Sequence, residues 1–104
     1  MITERLTFRA KYGQGDTLAT LMRQNVEQLP MPSGVVGARL YTDFAGPMFQ
    51  VVFEIDHADL NAFAADTQEQ MSQYGDARFQ EWFGKMIGCT EVGERQIYNS
   101  EKLI

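Results

Sequence analysis

His57, the only histidine, stands in the segment Asp56-His57-Ala58-Asp59. Carboxylates beside an imidazole favour its charged form, and a histidine so placed is a candidate general base. The competing reading is a solvated residue in the first turn of a helix capped by Asp56. A second group is basic. Arg5 and Arg9 are four residues apart in an alternating stretch, which puts them on one strand face, and Arg39 projects from the same side, followed by Tyr41. Guanidinium groups suit a carboxylate or another planar anion, and the tyrosine adds a hydroxyl. Arg9, Arg39 and Tyr41 are therefore the candidate ligand-binding residues. The same arginines could instead pair with Glu54 and with acidic groups of a second copy, stabilising an interface.

The other motifs carry less chemistry. Gly13-Gln14-Gly15 stands where a dinucleotide fingerprint would begin, but its third glycine would fall at Leu18. Asp16 also places a negative charge where a phosphate would dock. The segment is a turn. Cys89 follows Gly88 with no base or cation beside it and reads as a buried small residue. One histidine and one cysteine, far apart, give no expectation of a metal site, and no cofactor motif occurs. Trp82 lies among Phe79, Phe83 and Met86 at helical spacing, where core packing is expected before ligand stacking.

These residues are positioned by an order of periodicities. Residues 2 to 11 alternate, with Leu6, Phe8 and Ala10 opposing Thr3, Arg5, Thr7, Arg9 and Lys11, the pattern of a half-buried strand. Asp16 is the expected N-cap of a helix whose apolar stripe is Leu18, Leu21, Met22, Val26 and Leu29, stopped by Pro30-Met31-Pro32-Ser33-Gly34. Residues 35 to 43 alternate again, Val36, Ala38 and Leu40 against Val35, Gly37, Arg39 and Tyr41. After the turn Phe44-Ala45-Gly46-Pro47 comes a third strand, with Phe49, Val51, Phe53 and Ile55 opposing Met48, Gln50, Val52 and Glu54. Asp56 is the expected cap of a second helix carrying Leu60, Phe63, Ala64, Met71 and Tyr74, and Gly75-Asp76 recaps a third around Trp82. Residues 89 to 98 form the last strand.

The pattern predicts an α+β fold, a ferredoxin-like βαββαβ sandwich with an antiparallel sheet and its helices on one face, in one domain spanning residues 1 to 104. Helices need an apolar platform, so Leu6, Phe8, Ala38, Leu40, Phe49, Val51, Phe53 and Ile55 should lie beneath them. Arg5, Thr7, Arg9, Arg39, Tyr41, Gln50, Val52 and Glu54 are then left on the opposite face. That face is either solvated or packed against its copy in a homodimer, closing a barrel around a partly polar lumen.

Composition narrows the partners. The net charge is −5, and nine basic residues are scattered among fourteen acidic ones, so nucleic acid is not an expected partner. Charges at Glu4, Arg5 and Arg9 break any N-terminal apolar run, so neither a signal peptide nor a membrane span is expected. The lone Cys89 leaves no intramolecular disulfide, which fits a reducing cytoplasm.

The element order, the Tyr12-Gly13-Gln14-Gly15-Asp16 turn and the aromatic helix Phe79-Gln80-Glu81-Trp82-Phe83 resemble the dimeric α+β barrel superfamily. Arg9-Ala10-Lys11-Tyr12-Gly13 is similar to the Arg-x-Lys-Pro-Gly opening of NIPSNAP-like and antibiotic-biosynthesis-monooxygenase-like members, with Tyr12 in place of the proline. The resemblance implies a homodimer with sheets packed face to face. It does not imply one activity, since such proteins include cofactor-independent oxygenases, isomerases and haem-degrading enzymes. The haem-degrading members place an Asn, a Trp and a His in the cleft, and no Asn occurs on the first strand here. Three expectations follow. The first is a homodimer that binds a small organic molecule, aromatic or carboxylated, between helices and sheet or in the lumen. The second is a cofactor-independent monooxygenase or isomerase, in which Arg9, Arg39 and Tyr41 stabilise an enolate-like anion and His57 moves a proton. The third is a structural dimer with a filled lumen.

Overall fold

The computed structural model describes residues 1–104. Its elements are β1 (Ile2–Ala10), α1 (Gly15–Gln28), β2 (Val35–Thr42), β3 (Gln50–His57), α2 (Leu60–Met71), α3 (Ala77–Cys89) and β4 (Thr90–Asn99). The four strands lie in the order β2-β3-β1-β4, and every neighbouring pair is antiparallel. This is the expected ferredoxin-like α+β arrangement, with the second helical segment divided into α2 and α3.

Alternation decides the two faces of the sheet. Opposed residues on neighbouring strands share a face, so Leu6 with Phe53 and Phe8 with Val51 form one row beneath the helices. Leu18, Leu21 and Met22 of α1 pack onto Val51 and Ala10, with Cys89 at the end of α3. Full burial of a side chain such as Leu18 contributes about 1.5–3 kcal/mol, so this small cluster anchors α1 and α3 to the sheet centre. Gly13 makes the β1–α1 turn at φ 78°, a left-handed conformation that a side chain would strain.

Four local expectations are corrected. α1 begins at Gly15 with Gln14 at its N-cap and no side-chain cap; Asp16 lies in the first turn, where its charge complements the helix dipole. Asp56 does not cap α2. β3 continues through Asp56 and His57, which pair with Thr3 and Ile2 of β1, and Asp59 is the cap, accepting from the Ala62 amide at 2.8 Å. Asp56 can stay in a strand because Arg39 neutralises it there. The third strand begins at Gln50, since Phe49 adopts φ 63° and belongs to the preceding turn. Finally, the β2–β3 register slips between Val35 and Gly37. This bulge leaves Val36 61% exposed and turns Val35 toward the helix side, the reverse of simple alternation.

Candidate functional site

Between the sheet and the helices lies a cavity of about 500 Å³. Its floor is Leu6 and Phe8 of β1 with Phe53 and Ile55 of β3, and its far wall is Trp82, Phe83 and Met86 of α3. The space exists because α2 covers little of the sheet: its one buried residue is Asp66. Trp82 is fixed by its indole N–H, which donates to the Leu21 carbonyl at 2.6 Å. Tyr74, Phe79 and Phe83 stack in a row, with ring centroids 5.1 and 5.6 Å apart. Tyr74 and Phe83 are partly open to solvent, so this aromatic surface continues to the rim.

One end of the cavity is polar. His57 lies on its wall, 4% exposed, with Nδ1 2.7 Å from Asp66 Oδ2. The Gly34 amide donates to Asp66 Oδ1 at 2.9 Å. The Asp66 carboxyl is thus held at both oxygens, by the imidazole on one and by the backbone amide on the other. Nε2 is buried and has no hydrogen-bond partner. The ring stands edge-on to Phe63, centroids 5.2 Å apart. One turn further along α2, Glu69 accepts from the amide and hydroxyl of Ser33, so α2 grips the start of β2 at two successive residues. Glu4, diagonal to His57 across the strands, also lines the cavity and meets Arg95 at 3.3 Å. No lysine or arginine lines the cavity.

The opposite face of the sheet holds an ion-pair network. Arg39 donates from Nε to Glu54 at 3.0 Å and from both terminal nitrogens to Asp56, at 2.5 and 2.8 Å. Arg5 donates to the other oxygen of Glu54 at 2.8 Å, and the Thr3 hydroxyl donates to Asp56 at 2.8 Å. Burial pushes the Glu54 carboxyl up, but hydrogen bonds from Arg39 and Arg5 outweigh it and hold the group below its ordinary range. Asp56 is lowered chiefly by its bonds to Arg39, against burial. The Arg39 guanidinium is raised further still by the same two carboxylates.

Arg9, Arg39 and Tyr41 thus share one face, and His57 lies on the other. The sheet separates the arginines from the imidazole, so no single site contains all four. Each of the three Arg39 guanidinium nitrogens donates to a carboxylate of its own chain, whereas Arg9 is exposed, with only Glu91 at 3.7 Å. Asp66, Gly34 and Glu4 did not emerge from sequence reasoning. One signal was available: Asp66 lies three residues after Phe63, which places it on the same helix face.

No protein-family model matches the sequence, and no curated protein matches it either. Solved structures do match. A NIPSNAP family protein of unknown function from Agrobacterium tumefaciens is 22% identical with a TM-score of 0.76, over 98% of this chain and 95% of that one. A NIPSNAP domain protein from Burkholderia xenovorans is 20% identical with a TM-score of 0.73, over 100% and 98%. A candidate antibiotic biosynthesis monooxygenase from Nitrosomonas europaea is 16% identical with a TM-score of 0.70, over 96% and 98%. The chain shares the fold of these NIPSNAP and monooxygenase-like proteins, as its element order and aromatic helix led us to expect. No helix is long and apolar enough to cross a membrane.

Proposed function

We propose that the protein binds a small, largely apolar organic molecule between sheet and helices, and that it does so as a cytoplasmic homodimer joined through the other sheet face. The observation that carries this reading is the cavity of about 500 Å³, apolar over most of its wall and polar at one end. Small-molecule sites commonly measure about 300–1,000 Å³ and have this composition. An aromatic, uncharged ligand suits it better than a carboxylated one. Glu4 is on the wall, no cation faces in, and an unpaired buried charge is costly.

The outer face favours the role of interface. Arg5 and Arg39 are neutralised within the chain, and Tyr41, Val92 and Tyr98 stand 47%, 54% and 41% exposed around them. Apolar surface of this kind next to neutral ion pairs is suited to burial against its copy. A barrel lumen filled by ion pairs and a ligand site under the helices are then compatible.

The test is native mass spectrometry of freshly purified protein, followed by titration with Nile red, a neutral dye that brightens in apolar sites. A dimer carrying a small organic mass, or saturable dye binding that Leu6→Trp abolishes by filling the cavity, supports the reading. A monomer refutes the interface; dye binding indifferent to Leu6→Trp refutes the cavity.

A further inference from the structure

We propose that Gln70 and Gln73 read a ring lactam, an N–H and a C=O side by side, so that the ligand of this cavity is a neutral, flat heteroaromatic molecule carrying that edge. The inference rests on the ligand reading of the same cavity and adds the chemical class of the ligand to it.

α2 carries its polar and apolar residues the wrong way round. Asp66, its one buried residue, marks the side that faces the sheet. Gln70 and Gln73 follow four and seven residues later, on that same side, and both line the cavity. Leu60 and Met71 meanwhile stand 66% and 53% exposed. A helix face turned to an apolar chamber ordinarily carries aliphatic side chains, and this one carries carboxamides.

The backbone that holds them is fixed. The Gln73 amide donates to the Gln70 carbonyl at 3.0 Å, and the Asp76 amide donates to the Gln73 carbonyl at 2.9 Å. Their side chains make no hydrogen bond within the chain, unlike Gln80, whose side-chain nitrogen donates to the Tyr74 carbonyl at 3.2 Å. Neither carboxamide is sealed off, since the only buried and unpartnered side-chain polar atom is His57 Nε2.

The ligand class follows from what a carboxamide offers. It presents an acceptor and a donor in one plane, and an amide closed into a ring engages both at once. Glutamine grips the edge of adenine by a pairing of the same kind. A pure hydrocarbon would strip water from both glutamines and return no bond. A lone hydroxyl cannot meet both halves of one carboxamide in line. A carboxylate would meet Glu4 and no lysine or arginine. Tyr74 follows Gln73 directly, and its ring opens the row of Phe79 and Phe83, so flat apolar surface adjoins the amide edge.

Three neutral probes of one ring system test it by displacement of Nile red. Phenanthridinone carries the lactam, its N-methyl form keeps the carbonyl and loses the donor, and 9-phenanthrol carries a hydroxyl instead. Phenanthridinone is expected to bind at least about tenfold more tightly than its N-methyl form. In a Gln70→Met, Gln73→Met double variant the two lactams are expected to bind within about twofold of each other. A structural role for the glutamines would shift both lactams alike and keep their ratio.

Equal affinities of the two lactams for the wild type, 9-phenanthrol bound as tightly as phenanthridinone, or a ratio retained in the double variant each overturns the lactam assignment and leaves the ligand reading standing. Absence of dye binding, or dye binding indifferent to Leu6→Trp, overturns both. Should the double variant fail to fold, side-chain amide NMR of the wild type decides. Glutamine signals moved by phenanthridinone and not by its N-methyl form support the proposal, and signals moved by both alike or by neither overturn it.

Discussion

Gly34 and Asp66 meet so closely that the glycine's missing side chain is part of the contact. The amide donates to Oδ1 at 2.9 Å, and an added Cβ would come within 2.6 Å of the same oxygen. The start of β2, the middle of α2 and the end of β3 are fastened at this one point.

Gly34→Ala therefore displaces the carboxylate and loosens both of its bonds. With Asp66 2% exposed, leaving it partly unsatisfied is expected to cost about 1–3 kcal/mol. Urea denaturation of the two proteins measures it. An unchanged midpoint would show that the contact is slack.

Arg39→Met removes the shared partner of Glu54 and Asp56, whose side chains are only 7% and 6% exposed. Breaking a buried ion pair from one side costs about 3–5 kcal/mol, and the 41% exposure of Arg39 puts the expected loss near or below about 3 kcal/mol at neutral pH.

Acid should remove what Arg39 contributes. Both carboxyls are held below their ordinary values in the folded chain, so they bind protons more readily when unfolded. Their contribution is complete above about pH 5 and is lost as pH falls from about 4 through the lowered folded values. Melting temperature followed from neutral pH to strong acid should fall in the wild type, while the gap to Arg39→Met narrows. A gap independent of pH would mean that packing, not charge, accounts for it.

Val52→Glu tests the outer face. Val52 opposes Thr7 on one side and Tyr41 on the other, at the centre of that surface. A carboxylate there, beside Glu54, is expected to weaken the proposed homodimer at least about tenfold, or about 1.4 kcal/mol. Sedimentation over a concentration series reads it, with the secondary-structure spectrum as the check on folding.

Trp82→Phe keeps the ring contacts and removes the donor to the Leu21 carbonyl. The expected cost is about 1–2 kcal/mol by chemical denaturation. Trp82 is the chain's only tryptophan, so the wild-type emission should also shift when a ligand fills the cavity.

The architecture was legible because period-two and helical spacing survive in Leu6, Phe8, Phe53 and Ile55 and in Leu18, Leu21 and Met22. The polar end of the cavity was not. Asp56-His57-Ala58-Asp59 offers two aspartates that could cap a helix, and only the cross-strand partners Thr3 and Arg39 settle which one does. Asp66 is charged and buried, so hydropathy places it outside the core, and its partners Gly34 and His57 lie 32 and 9 residues away along the chain. The bulge after Val35 is likewise invisible to alternation, because it breaks the rule by which alternation is read.

β3 carries the outer network on Glu54 and Asp56 and the cavity on Phe53, Ile55 and His57, in strict turn. Deleting one residue from its middle would exchange the two sets, sending an aspartate into the apolar chamber and a histidine against Arg39. The strand is therefore open to change by substitution and closed to change of length. In any lineage of such chains, insertions and deletions should collect in the 43–49 turn and spare residues 50–57.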